Sequence, residues 1–239
     1  MNFLKRLLKW MLILIVLLTA LYFVGPNPST PTYTTTLPVV PADAAALENY
    51  ILQNEAQRKV KPENEGRIIW QNDSTKQKTE YAIVYLHGFS ASQEEGDPVH
   101  TAIAKKFGCN LYLARLAEHG IDTSDAMLNL TSENYWESVK QAYAIGKQIG
   151  NKVIIMGTST GGSNALQLAA NYPEIASIIL LSPNIAINDP NAWLANNPWG
   201  LQIARLVKGS DYVITKDQRD IYKAHWYSKY RLEAVVNLQ

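Results

Sequence analysis

Val153-Ile154-Ile155-Met156 runs directly into Gly157-Thr158-Ser159-Thr160-Gly161-Gly162, and a helical pattern follows over residues 164–171. No other stretch restricts the fold as much. A short, continuous apolar run rich in β-branched residues marks a strand buried on both faces, as in parallel sheets covered by helices. The turn that follows is tight. A serine placed there takes a strained backbone conformation that lifts its hydroxyl above the sheet. The glycines two positions to either side carry no Cβ, so strand and helix can approach closely. The helix also aims its free N–H groups and the positive end of its dipole at the same spot. The alternative is a glycine-rich turn with an idle serine, which a bare G-x-S-x-G pattern often is.

The rest of the chain follows the same alternation. Residues 68–70 give a short first strand, and Tyr81-Ala82-Ile83-Val84-Tyr85-Leu86 a second, fully buried one. A helix over 99–107, a strand over 110–116, a helix over 134–149 and a strand over 175–181 complete the series. Strands alternating with helices imply right-handed crossovers and a mostly parallel sheet. The expected class is α/β.

With 22 Lys and Arg against 21 Asp and Glu, the net charge is +1, which gives no basic excess for a nucleic-acid partner. One cysteine, Cys109, excludes an intrachain disulfide and any cysteine-based zinc site. No metal or other cofactor is expected. The four histidines, His87, His100, His119 and His225, bound every histidine-dependent mechanism.

The N-terminus is different in kind. Lys5, Arg6 and Lys9 precede an apolar run over 10–24, so residues 1–24 read as a membrane anchor or a signal segment. With Leu7 and Leu8 the run reaches roughly 27 Å as a helix, against a hydrocarbon core of about 30 Å. A cleaved signal fits the same pattern, but no small-x-small site follows the run, which favours a retained single-pass anchor. Both readings place the remainder on the extracytoplasmic side, because the positive charges stay inside. Pro26, Pro28, Pro31, Pro38 and Pro41 make 25–41 an extended, semi-rigid tether. Residues 42–66 hold a leading helix and linker, 67–183 the α/β core and 184–239 a cap-like helical region.

A second motif sits after Leu86, where His87-Gly88-Phe89-Ser90 follows a central strand. His87-Gly88-Phe89 and Gly157-Thr158-Ser159-Thr160-Gly161-Gly162, in that order on those strands, resemble the α/β-hydrolase fold. The likeness covers about 67–181. It is closest to the branch of carboxylesterases, monoacylglycerol lipases and serine aminopeptidases. The resemblance implies acyl transfer from an ester, thioester or amide to water through an acyl-serine. Ser159 is then the nucleophile, and the backbone N–H groups of Phe89 and Thr160 form the oxyanion hole. Gly88 lets the loop bend toward the site, Gly157 and Gly161 make room for the turn, and His87 is read as a structural histidine bonding nearby backbone.

The family order also requires an acid and then a histidine after the serine. The only later histidine is His225, inside a segment (217–236) that reads as helical. The acids available to it are Asp211, Asp217 and Asp220. His119, in a loop after a strand, would serve only by breaking the family order. No strong strand run follows Leu181, Tyr212-Val213-Ile214 being a weak one. The expectation is therefore a chain that lacks the strands presenting its acid and histidine, with an unpaired sheet edge beyond 175–181. Trp193, Trp199, Leu201 and Trp226 are candidates to line an apolar acyl pocket, or else core anchors. Glu94, Glu95 and Asp97 are candidates to meet a cationic substrate group, or else a solvated acidic loop. Three readings remain. One is an exported, membrane-anchored serine hydrolase acting on a small acyl ester or amide. Another is a non-catalytic binding domain, and the third a peptidase or acyltransferase on the same fold.

Overall fold

Alternate residues of the strand Thr79–Leu86 pack into two different cores. Ala82, Val84 and Leu86 join one cluster, and Ile83 and Tyr85 the other, all essentially inaccessible to solvent. That is the period-two signature of a strand covered on both sides. The computed structural model describes residues 2–217 and 219–238.

The main sheet holds β1 (Arg67–Ile69), β2 (Thr79–Leu86), β3 (Asn110–Leu113), β4 (Gly150–Thr158) and β5 (Ser177–Leu181), in the spatial order β1-β3-β2-β4-β5. β3, β2, β4 and β5 run parallel, and β1 is antiparallel to β3. Among the described residues β5 is an edge strand. Leu86 lies opposite Gly157, and Thr158 opposite Leu181, so the two motifs end side by side at the carboxyl end of the sheet. Open parallel sheets bind their ligands at that end.

The helices are α1 (Asn2–Phe23), α2 (Ala44–Ala56), α3 (Val99–Phe107), α4 (Ser132–Ile149), α5 (Thr160–Asn171), α6 (Gly200–Lys208), α7 (Asp220–His225) and α8 (Leu232–Leu238). The larger core lies under α4 and α5, where Trp136, Val139, Tyr143, Ile145, Ala165 and Leu168 cover β2 and β4. The smaller core lies under α3. A Thr131 side chain accepting the Asn134 N–H at 3.1 Å, answered by Asn134 on the Thr131 N–H at 3.0 Å, starts α4 with a capping box.

Two expectations change here. Residues 217–236 are not one helix. After α7, β7 (Lys229–Arg231) pairs antiparallel with β6 (Tyr212–Ile214) in a separate ribbon, and α8 begins only at Leu232. The break falls at Tyr227. Its buried hydroxyl accepts the Ile121 N–H at 2.6 Å, and its own N–H reaches Ser90 O at 2.8 Å. The stretch 25–41 does not stand free as a spacer either. The buried Lys140 ammonium donates to Thr34 Oγ1 (2.6 Å) and Thr36 O (2.9 Å). Trp136 Nε1 donates to Thr34 O and the Tyr172 hydroxyl to Thr35 O, each at 2.8 Å. Residues 32–40 are a strap against α4 and α5 because their carbonyls satisfy donors that the helices bury.

Candidate active site

Ser159 sits between β4 and α5 at φ 52°, ψ −118°. A non-glycine residue at positive φ costs on the order of 1–3 kcal/mol, and surrounding bonds must hold it there. They do. The Ser159 N–H continues the sheet ladder to Leu181 O at 2.9 Å, and Ser159 O accepts from Gly162 N–H and Asn184 N–H, both at 2.9 Å. The Ser163 hydroxyl donates to Asn184 O and ties the loop after β5 to α5. Asn184 and Ser163 thus brace the turn, which the spacing of the motif did not reveal.

The glycines are fixed by contact. A Cβ on Gly157 would stand 2.3 Å from Gly161 O, and one on Gly161 would stand 2.1 Å from Leu86 O. A Cβ on Gly88 would be wedged 3.1 Å from Ser159 Cβ and 2.9 Å from both carboxylate oxygens of Glu95. The turn and the 87–90 loop therefore touch across the Leu86–Gly157 register.

Among the described residues, Ser159 Oγ has no hydrogen-bond partner, and neither the Phe89 nor the Thr160 backbone N–H has an acceptor. Thr160 opens α5, so its N–H is one of the orphan donors of a helix start. Its side chain is buried, and Thr160 Oγ1 has no partner among the described residues. Beside it is a cavity of about 280 Å³ lined in part by Tyr135, Trp136, Thr160, Asn164 and Ile187.

The histidines are accounted for individually. His87 Nδ1–H donates to Gly88 O at 2.9 Å, and Nε2 accepts the Leu116 N–H at 3.1 Å. His119 Nδ1–H donates to Ala117 O at 2.7 Å, and Nε2 accepts the Ser90 N–H at 3.0 Å. Each ring is neutral with both nitrogens engaged by backbone. Burial holds His87 down to about pKa 4 and His119 well below the ordinary range. His119 is thereby removed as a candidate base, and His87 is a loop brace, its ring 4.9 Å from that of His119. His100 Nε2 donates to Gln93 O at 2.8 Å.

His225 is not brought to Ser159. Its Nδ1 lies 3.5 Å from Ser92 Oγ, at the start of the 3₁₀ turn Gln93–Gly96. The acids considered for it are engaged or distant: Asp211 pairs with Arg205, Asp217 with Arg219, and Asp220 is exposed at the first turn of α7. The four apolar candidates do not assemble either. Trp193 is exposed, Trp199 donates from Nε1 to Leu21 O, and Trp226 stacks on Tyr222. Neither they nor Leu201 lines the cavity beside Thr160. Of the three acids after the loop, Glu94 and Asp97 face solvent. Glu95 turns inward and accepts the Gly88 N–H at 2.6 Å.

Residues 118–190 match a family described as an alpha/beta hydrolase of unknown function, DUF1057. Over 108 residues the chain is 32% identical to a thermostable monoacylglycerol lipase of Bacillus sp. (strain H-257), covering 45% of this chain and 42% of that one. The chain thus spans less than half the length of this curated relative. Among solved structures, one reported for the metagenome-derived lipolytic enzymes LipS and LipT superposes with a TM-score of 0.59 at 19% identity, over 75% of this chain and 68% of that one. A structure of DcsB with a substrate analogue superposes with a TM-score of 0.50 at 16% identity, over 75% and 72% of the two chains.

Proposed function

Because this chain has the α/β-hydrolase fold, we propose that it is a lipase- or esterase-like hydrolase that cleaves a carboxylic ester through an acyl-Ser159 intermediate. One observation carries the reading. Among the described residues Ser159 stands at positive φ with no partner for its hydroxyl, and two backbone donors, Phe89 N–H in the adjoining loop and Thr160 N–H at the helix start, have no acceptor. In the proposed reaction Oγ attacks the ester carbonyl and the carbonyl oxygen becomes an oxyanion. The two N–H groups stabilise it without reorganising, because the loop and the helix start are already fixed. The alcohol leaves with a proton, and water then hydrolyses the acyl-enzyme.

The Oγ proton needs an acceptor, and neither His87 nor His119 has a free nitrogen to offer. His225, which follows Ser159 in the family order, stands against Ser92 and not against Ser159. The same geometry favours one other reading, a binding domain that keeps the elbow but does not turn over, since no described ring nitrogen reaches Ser159 Oγ.

A fluorophosphonate probe applied to the full natural gene product decides between them. Labelling that disappears in Ser159→Ala supports the hydrolase. An unlabelled protein that still unfolds cooperatively supports the binder. We further propose that α1 anchors the protein in a membrane. Phe3–Phe23 has a mean hydropathy of 1.9, its apolar side chains are exposed, and Lys5, Arg6 and Lys9 lie at its start, a charge pattern that supports an extracytoplasmic domain.

A further inference from the structure

In the loop 87–90 both backbone polar atoms of Gly88 and of Ser90 are held by hydrogen bonds. Gly88 O accepts from His87 Nδ1 at 2.9 Å and from Ala91 N–H at 3.3 Å. Ser90 N–H donates to His119 Nε2 at 3.0 Å, and Ser90 O accepts from Tyr227 N–H at 2.8 Å. Each of these partners is a neutral group fixed by the fold. The remaining pin is of another kind, a side-chain carboxylate on the following 3₁₀ turn: Glu95 Oε2 accepts the Gly88 N–H at 2.6 Å, the short distance of a charge-assisted bond.

Glycine is the residue at which a loop most easily swivels. Its N–H belongs to the peptide before its Cα and its C=O to the peptide after it. Holding the N–H through Glu95 and the C=O through His87 fixes rotation on both sides of that Cα. The peptide between Gly88 and Phe89 is planar and trans, so the Phe89 N–H points opposite to the Gly88 C=O. A held Gly88 is therefore a directed Phe89 N–H. Gly88 is also the residue whose missing Cβ lies between Glu95 and Ser159.

We propose that Glu95 is a positioning residue for the reaction, fixing through Gly88 the backbone donor of Phe89 that faces the oxyanion. This rests on Ser159 being the nucleophile. Among the described residues no cation pairs with the carboxylate. Its charge is felt by the Tyr85 hydroxyl of β2 and the Tyr135 hydroxyl of α4, the Ser159 turn lies across Gly88 from it, and Ser92 and the His225 ring meet at the start of its own turn. Burial accordingly raises its pKa, and the Gly88 N–H opposes that rise. A negative charge this close to a developing oxyanion works against it, so the contact is useful only for the donor it directs.

The test combines a spectroscopic and a kinetic reading on the full natural chain, isotopically labelled in detergent micelles. In wild type the Gly88 amide proton resonates far downfield and moves upfield as pH falls through a carboxylate transition above the ordinary glutamate range. In Glu95→Gln that transition is gone. Fluorophosphonate labelling of Ser159 slows by about a hundredfold in Glu95→Ala, in line with losing one oxyanion donor. It slows by less than about tenfold in Glu95→Gln, which keeps an oxygen acceptor, while both variants unfold at the wild-type midpoint. If Glu95→Ala does not fold, the Gln variant and the amide titration decide. A Gly88 amide indifferent to the carboxylate, or Glu95→Ala labelled within about twofold of wild type, overturns the proposal. A wild type that shows the titration but no labelling at Ser159 overturns the hydrolase reading, and the proposal with it.

Discussion

A methyl group on Gly161 would stand 2.1 Å from the carbonyl oxygen of Leu86, a backbone atom that cannot turn aside as a flexible side chain can. Gly161→Ala is therefore expected to lower stability by about 3 kcal/mol or more, at the upper end of overpacking effects. Gly88→Ala meets a flexible carboxylate first and is expected to cost less. Urea unfolding of the two variants checks the order; equal midpoints would contradict the close approach of loop and turn.

Ser159 carries strain that glycine would not. Ser159→Gly is expected to raise stability by about 1 kcal/mol while abolishing probe labelling, because φ 52° is unstrained for glycine alone. Ser159→Ala keeps the strain and is expected to leave the unfolding midpoint unchanged. A glycine variant less stable than the alanine variant would argue against a strained elbow.

His87 and His119 are neutral in the fold at pH values where the unfolded chain protonates them near pH 6.5. The unfolded state then binds more protons, so stability is full above about pH 6.5 and falls as pH drops toward 4. The His87 shift alone corresponds to about 3 kcal/mol by the bottom of that window. Urea midpoints at pH 7.5 and 5.0 measure it. A midpoint that holds or rises at pH 5.0 would count against two buried neutral rings.

Removing the Lys140 ammonium leaves Thr36 O and the Thr34 hydroxyl without a donor. Lys140→Leu is expected to cost about 1–3 kcal/mol. It should also open the chain to proteolysis between Tyr33 and Pro38, where wild type resists. Mass spectrometry of early fragments identifies the site, and first cleavage elsewhere would show that the strap does not depend on this lysine.

A fusion of alkaline phosphatase after Pro41 is expected to be active outside the cytoplasm and to pellet with membranes after carbonate washing. An active fusion in the soluble fraction would point to a removed signal. An inactive cytoplasmic one would refute export.

What could be read in advance follows from where the information lies. β2 and β4 were visible because their apolar runs are continuous and each is flanked by glycine motifs, all within a few residues. The glycine motifs that carry Ser159, Phe89 and Thr160 are legible for the same reason. Glu95 was seen only as one of three acids, because its inward turn depends on the 3₁₀ turn and on its fit against Gly88. Tyr227 looked like one more residue of a helix. Its hydroxyl bond to Ile121, distant in the chain, breaks that helix, and three-residue strands such as Tyr212–Ile214 carry no period to detect. The prolines of 25–41 suggested a spacer, whereas the donors that capture Thr34, Thr35 and Thr36 lie far along the chain on α4 and just after α5.

The strap also acts as a short leash. Its first hold on α4 is Thr32 N–H to Glu133 Oε1 at 3.2 Å, and α1 ends at Phe23. Residues 24–31 join them, at most roughly 30 Å when drawn straight, and this link is itself tied down, since Pro26 O accepts the Trp199 N–H at 2.9 Å. Whatever holds α1 therefore confines the domain to a thin shell around that point. A longer leash would trade that confinement for reach.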